Sequence, residues 1–233
     1  MDLEKDTLLA VITAFFMLPI YYVNTHYGME SPAVFLIVFL ILGHLVLNTF
    51  IPAYVVLRIN GEGLSGLGIT TNNLGKSIII SIIIAVVSSY QLMVVAEEQP
   101  NVNLLPHLIF NGLILWEVLF VYGWLQLRFE KAFGYVLAPI LSALCFCLYH
   151  LGSFDSAEVI ALFISGLVFG VVFGITKNIL SLIPIAWSVS SGIGTLTGGF
   201  IGGWDDVFIY AIVVIAQIFI LWKVNSKAAV KKL

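Results

Sequence analysis

Charge is the scarcest property of this chain: only 10% of its 233 residues are Asp, Glu, Lys or Arg, while 61% are hydrophobic. A soluble globular domain carries about a quarter charged residues, so a water-soluble domain of any size is excluded. Cysteine is nearly as scarce. Cys145 and Cys147 lie two apart on an expected helix and point to nearly opposite faces, which makes neither a disulfide framework nor a metal site. No trio of His, Cys or carboxylate residues stands at metal-ligand spacing. Phosphate-cradling glycine loops and basic nucleic-acid patches are also missing, so no metal and no nucleic-acid partner is expected. The start, Met1-Asp2-Leu3-Glu4-Lys5-Asp6, lacks a basic n-region, and the first apolar run is expected to be retained as a helix.

What the chain has instead is apolar runs, at 7–25, 32–57, 77–96, 106–128, 133–152, 159–176, 178–200 and 207–223. A helix needs about 20 apolar residues to span a bilayer, so the chain reads as an all-α polytopic membrane helix bundle of about eight transmembrane helices. Basic residues stay cytoplasmic. With the N-terminus inside, threading puts Lys5, Arg58, Lys76, Arg128, Lys131, Lys177, Lys223, Lys227, Lys231 and Lys232 on one side. Glu30, Glu97, Glu98, Asp155, Glu158, Asp205 and Asp206 fall on the other. Both termini are therefore expected in the cytoplasm. The whole of 1–233 forms a single membrane domain: N-terminal helices over 7–104, a core over 105–200, a last helix over 207–223 and a basic tail over 224–233. The glycine-rich Asn60 to Lys76 reads as a surface connector. The fourth helix is expected to begin at or after Pro106, and the boundary near 176–178 and the glycine-rich 192–203 are the softest.

Glu117 sits in the apolar stretch Leu115-Trp116-Glu117-Val118-Leu119-Phe120-Val121-Tyr122-Gly123-Trp124-Leu125-Gln126 with no cation nearby in sequence. An ionisable group at bilayer depth costs about 2.5–3.5 kcal/mol on insertion scales and faces a partner or a cavity. Measured from the inside loop, Glu117 stands about 16 Å deep and His150 about 25 Å, on antiparallel helices. With ordinary tilt the two can meet across an aromatic-walled pocket that includes Phe146, whereas α-helical geometry turns Tyr122 about 140° away from Glu117. Such a pair suits water activation, the carboxylate as general base with His as acid, base or orienting group. A Glu–His bond locking two helices and a proton relay are equally open on spacing alone. His44 and Asn48, four apart in the second span, share a face and either complete a polar site or bond helix to helix. Ser188, Ser190 and Ser191 with Gly192 and Gly194 make a small-residue face, and His26 and His107 are expected to be solvated near the outer surface.

Glu117 through Gln126 resembles the first motif of the CPBP (Abi) family, the CAAX-prenyl endopeptidase and bacteriocin-processing intramembrane proteins. Glu117 and the Gly123-Trp124-Leu125-Gln126 tail match. The family's second Glu is Val118 here, and its Arg is Tyr122. The second motif, Phe with His four later, is intact as Phe146-Cys147-Leu148-Tyr149-His150. Phe163 to Gly170 and Ser181 to Ala186 are similar to the helices that follow, but the last motif, His with Asn four later, stands as Trp187 and Ser191. The resemblance implies that Glu117 and His150 activate water for peptide cleavage. Tyr122, Phe146, Trp187 and Ser191, with His44 and Asn48 as stand-ins, would support substrate or oxyanion. No cofactor is evident, and a metal held by Glu117 and His150 stays open. Expected partners are membrane lipids and a prenylated, leader or membrane-protein substrate or client, in a prokaryotic plasma membrane. The altered motifs imply an alternative, a non-catalytic membrane scaffold, chaperone or regulator.

Overall fold

The computed structural model describes residues 3–28, 30–72, 74–98, 103–114, 116–152, 154–192 and 201–230. Helix α1, Leu3–Val23, runs on through a π-turn, Asn24–Gly28. Helix α2, Pro32–Ile59, starts with Ser31 accepting from the Val34 amide and proline in the first turn, where a missing N–H costs nothing. Helix α3 is Leu74–Glu98. Helix α4, Leu104–Leu113, is capped by the Asn103 side chain and so begins two residues before Pro106. Helices α5, 116–133, and α6, 135–148, form a hairpin that turns at Gly134, whose φ of 82° lies in the region glycine adopts freely. Helix α7, Ser156–Thr176, opens on a capping box of Asp155 and Glu158. Helix α8, Ile183–Val189, continues to 192, and α9 is Trp204–Val230.

The chain is an all-α polytopic bundle, with no strand among the described residues. Among the described residues, six stretches are long and apolar enough to cross a membrane: Leu3–Gly28, Pro32–Ile59, Leu74–Val94, Leu119–Leu148, Ser156–Thr176 and Trp204–Ser226. The fourth is the α5–α6 hairpin. Large apolar side chains such as Phe15, Val136, Ile175 and Phe208 point outward, as a lipid-facing surface requires. The expected span 106–128 is in fact divided at Ile114, where the backbone leaves helical geometry, and its second half runs on to 133. The boundary at 176–178 is a true helix end, with Lys177 left-handed and Asn178 capping the turn that follows. Residues 193–200 of the seventh expected span, and Lys231 and Lys232 of the basic tail, lie outside the described residues.

One end of the bundle gathers charge. Arg128 is fully buried, and its guanidinium donates to Asp6 Oδ2 at 2.7 Å, to Glu62 Oε2 at 2.8 Å and to the Gly66 carbonyl at 2.9 Å while lying over the Trp124 ring. Lys131 donates to Glu62 at 2.6 Å, and Lys177 pairs with Glu130. Partial burial works against an ionised Glu62, yet the hydrogen bonds and charges of Arg128 and Lys131 hold its carboxyl below the usual carboxylate range.

The loop 60–73, read as a surface connector, proves to be an inserted plug. Leu67 is fully buried, and the Gly68 carbonyl accepts from the Ile179 amide at 2.9 Å. A Cβ at Gly123 would lie 2.4 Å from the Leu67 carbonyl oxygen. Glycine stands in the Gly123-Trp124-Leu125-Gln126 tail because another backbone presses against it. Gln126 donates to the Gly170 carbonyl at 2.8 Å, tying α5 to α7.

Helix α1 lies antiparallel along α5, joined to it by three polar rungs. Asp6 meets Arg128 at 2.7 Å, Thr13 accepts from the Trp124 indole at 3.0 Å, and Tyr21 donates to Glu117 at 2.5 Å.

Candidate active site

Glu117 enters the site from the first turn of α5, just after the break at Ile114. The hairpin turn at Gly134 returns the chain so that the end of α6 lies beside it. The Phe120 ring on α5 is 6.2 Å from Tyr149, the residue before His150. Glu117 and His150 are thus brought to the same end of the bundle, as antiparallel spacing requires. They do not bond each other directly. Tyr21 of α1 stands between them: its hydroxyl donates to Glu117 Oε1 at 2.5 Å, its ring stacks on Tyr149 at 5.5 Å, and His150 lies 5.9 Å from the same ring.

The charge of Glu117 is surrounded by phenols. Tyr21, Tyr122, Tyr149 and Tyr210 are all buried, and all lie within electrostatic range of its carboxylate. Neutral hydroxyl dipoles can solvate an anion at bilayer depth without a second full charge, which a cation would bring at its own desolvation cost.

Against Glu117 lies a cavity of about 20 Å³, lined by Ile114, Val118, Tyr122, Phe146, Phe169, Ala186 and Ser190. About 10–15 Å³ of such space holds one water. Tyr122 shares this cavity although an α-helix would turn it away. Residues 119–126 form a π-helix, whose i→i+5 bonds bring residues five apart onto one face. The Tyr122 hydroxyl donates to the Gly166 carbonyl at 3.2 Å. Phe146, one turn before His150, lines the same cavity.

His150 falls just past the end of α6, half-buried, with Nδ1 2.9 Å from the Phe146 carbonyl. A carbonyl can only accept, so Nδ1 carries a proton and donates it to that bond. Trp187 does not reach the carboxylate's cavity, since its indole N–H donates to the Leu108 carbonyl at 2.9 Å and staples α8 to α4. The Ser191 hydroxyl is buried without a hydrogen-bond partner. His44 and Asn48 are buried on α2. The His44 ring packs 4.5 Å from Phe39 and 5.8 Å from Tyr210, each of which touches or flanks the Glu117 cluster. Thr49 donates to the His44 carbonyl and accepts from Gln217 of α9, so this part of α2 binds the last helix.

One expectation fails. His107, placed near the outer surface as solvated, is fully buried, where Nε2 donates to the Ser191 carbonyl at 2.9 Å and Nδ1 accepts from the Gly202 amide at 3.1 Å. Its ring ties the backbone of Ser191 on α8 to that of Gly202, a task that a position count along the chain could not reveal. His26 is exposed, stacked on Tyr22 at 4.1 Å.

Sequence reasoning missed Tyr21, Tyr149 and Tyr210. A signal for Tyr21 exists: Asp6, Thr13 and Tyr21 fall within about 80° of one another on an otherwise apolar helix, a polar stripe that needs partners.

Fold and site together define an integral, multi-pass membrane protein with a half-buried carboxylate beside a small cavity in its helical bundle. Residues 97–189, about two fifths of the chain, match the family model Rce1-like, described as type II CAAX prenyl endopeptidase Rce1-like. This central segment is thus similar to the CAAX prenyl endopeptidase family, consistent with the CPBP resemblance of its motifs. It holds Glu117, Tyr122, Phe146, His150 and Trp187. Tyr21, His44, Asn48 and Ser191 lie outside it. No curated protein and no solved structure matches the chain.

Proposed function

We propose that the chain hydrolyses a peptide bond near the end of a prenylated or otherwise membrane-held peptide, with Glu117 as general base. The observation that carries this reading is the cavity against Glu117, sized for about one water and set in the family-matched segment. One carboxylate oxygen is occupied by Tyr21, which leaves the other to take a proton from that water as it attacks the scissile carbonyl. The same carboxyl then returns the proton to the leaving amine. His150, beside the Tyr21 ring and outside the lining of that cavity, would orient the substrate or the leaving group.

A second reading has its own support. The Trp187 N–H and the Tyr122 hydroxyl are both spent on backbone carbonyls. An oxyanion donor is typically worth 10²–10³ in rate, so a scaffold that grips a membrane client without cleaving it fits that wiring.

Full-length protein in liposomes, given a farnesylated CAAX peptide, separates the two readings. Release of the terminal tripeptide, lowered about 10²–10⁴-fold by Glu117→Gln, is the expected result. Cleavage at wild-type rate in Glu117→Gln overturns the general-base role, and binding of the peptide without cleavage by wild type favours the scaffold.

A further inference from the structure

Among the described residues, the Glu117 carboxylate accepts a hydrogen bond from a helix outside the family-matched segment. Tyr21 reaches it through a docking geometry built along the whole of α1. The Asp6 rung sets the inner end, the Thr13 rung the middle, and Pro19 lies inside the helix just before Tyr21. The ring is held on both flanks, edge-on to Phe39 at 5.3 Å and stacked on Tyr149 at 5.5 Å, so the hydroxyl has little freedom to aim elsewhere.

We infer that Tyr21 is the positioning residue of the active site: it clamps one oxygen of Glu117 so that the other faces the water cavity. This rests on the endopeptidase reading for its kinetic consequence but not for its geometry. A carboxylate has two equivalent oxygens on a freely turning side chain. Near α5 the groups that could compete for it are Tyr122 on α5 itself, Tyr149 and His150 at the end of α6, Tyr210 on α9 and, behind Phe39, His44 on α2. Tyr122 is already bonded to Gly166, and His150 Nδ1 to Phe146. Only the Tyr21 phenol delivers a short charge-assisted bond to the carboxylate, and such bonds are about twice as strong as neutral ones. Without it the carboxylate would swing among the remaining phenols and lose its alignment with the cavity.

The test compares Tyr21→Phe with Thr13→Val, which removes the middle rung of the same helix without touching Glu117. Both are made in the full chain in lipid nanodiscs. The infrared carboxylate band that Glu117→Gln abolishes identifies Glu117. In Tyr21→Phe that band is expected to shift, and kcat on the farnesylated peptide to fall about 10–100-fold, the worth of a hydrogen bond to a charged group, with KM within about twofold. Thr13→Val is expected to lower the unfolding midpoint with neither change. An unmoved band in Tyr21→Phe, or equal effects of the two variants on band and kcat, overturns the positioning role. A shifted band with no cleavage even by wild type supports the clamp and defeats the endopeptidase reading instead, so the two failures are distinguishable.

Discussion

The two ends of helix α5 hold their charges in opposite ways. At its C-terminal end Arg128 is buried completely and is paired within a network of charges: Asp6 and Glu62 on Arg128, Glu62 on Lys131, Glu130 on Lys177. About 16 Å away along the helix, Glu117 meets phenols and a cavity, with no cation beside it. A buried ion network with a loop packed over it is a closing device. A lone carboxylate with one oxygen clamped and a small void beside it keeps chemical capacity unspent. The helix is therefore fastened by ion pairs at one end and by a phenol at the other, and α1 touches both.

Breaking the fastened end should have the largest effect on stability. Arg128→Met leaves Asp6 and Glu62 facing one another without their shared cation, and removing one partner from a buried ion network costs about 3–5 kcal/mol. Titration of unfolding in mixed micelles should show that loss. Glu117→Gln should change stability by less than about 1 kcal/mol while removing activity, because the Tyr21 hydroxyl can still donate to the amide oxygen. Equal destabilisation by the two variants would erase the contrast between the ends.

Midway between them, Gly123→Ala is expected to cost about 1–3 kcal/mol, the range for overpacking a filled interior. The new methyl meets the Leu67 backbone at 2.4 Å and would force the 60–73 plug outward. Limited proteolysis should then cut that loop in Gly123→Ala and spare it in wild type. An unchanged pattern would mean that the plug is not held by its contact with α5.

Apolar runs made the bundle legible from sequence, because a membrane helix must satisfy its backbone internally and therefore announces itself by length and composition. Antiparallel counting from Arg128 also placed Glu117 and His150 at the same end. The local departures were hidden for physical reasons. The break at Ile114 and the π-helix at 119–126 leave the composition apolar while rotating Tyr122 onto the face of Glu117. Tyr21 reads as one more aromatic in an aromatic-rich helix, and its partner lies 96 positions away. His107 was misplaced because depth in a bundle depends on which neighbours close over a helix end, here 191 and 202, and those are set by tertiary packing. Glycine-rich composition likewise suggested a surface connector from Asn60 to Lys76, where a glycine instead permits close approach, as at Gly68, whose Cβ would strike Phe173 and Ile179.

The smallest expected effect sharpens the fastened end further, through its pH dependence. Burial disfavours the Glu62 anion, but Arg128 and Lys131 outweigh that and hold its carboxyl below the ordinary range. A carboxyl whose folded value is depressed stabilises the fold fully at pH above its unfolded value, about 4.3. That stabilisation drains away as pH falls from there through the folded value, since the unfolded chain binds the proton first. The unfolding midpoint should therefore decline with acidification below about pH 4.3, and Glu62→Gln should be less stable than wild type at neutral pH with a flatter acid limb. Salt should blunt the Lys131 share more than the Arg128 share, because the lysine is exposed and the arginine is sealed from solvent. An acid limb in Glu62→Gln as steep as that of wild type would remove Glu62 from the network's energetics and leave the Asp6–Arg128 pair to fasten α5 alone.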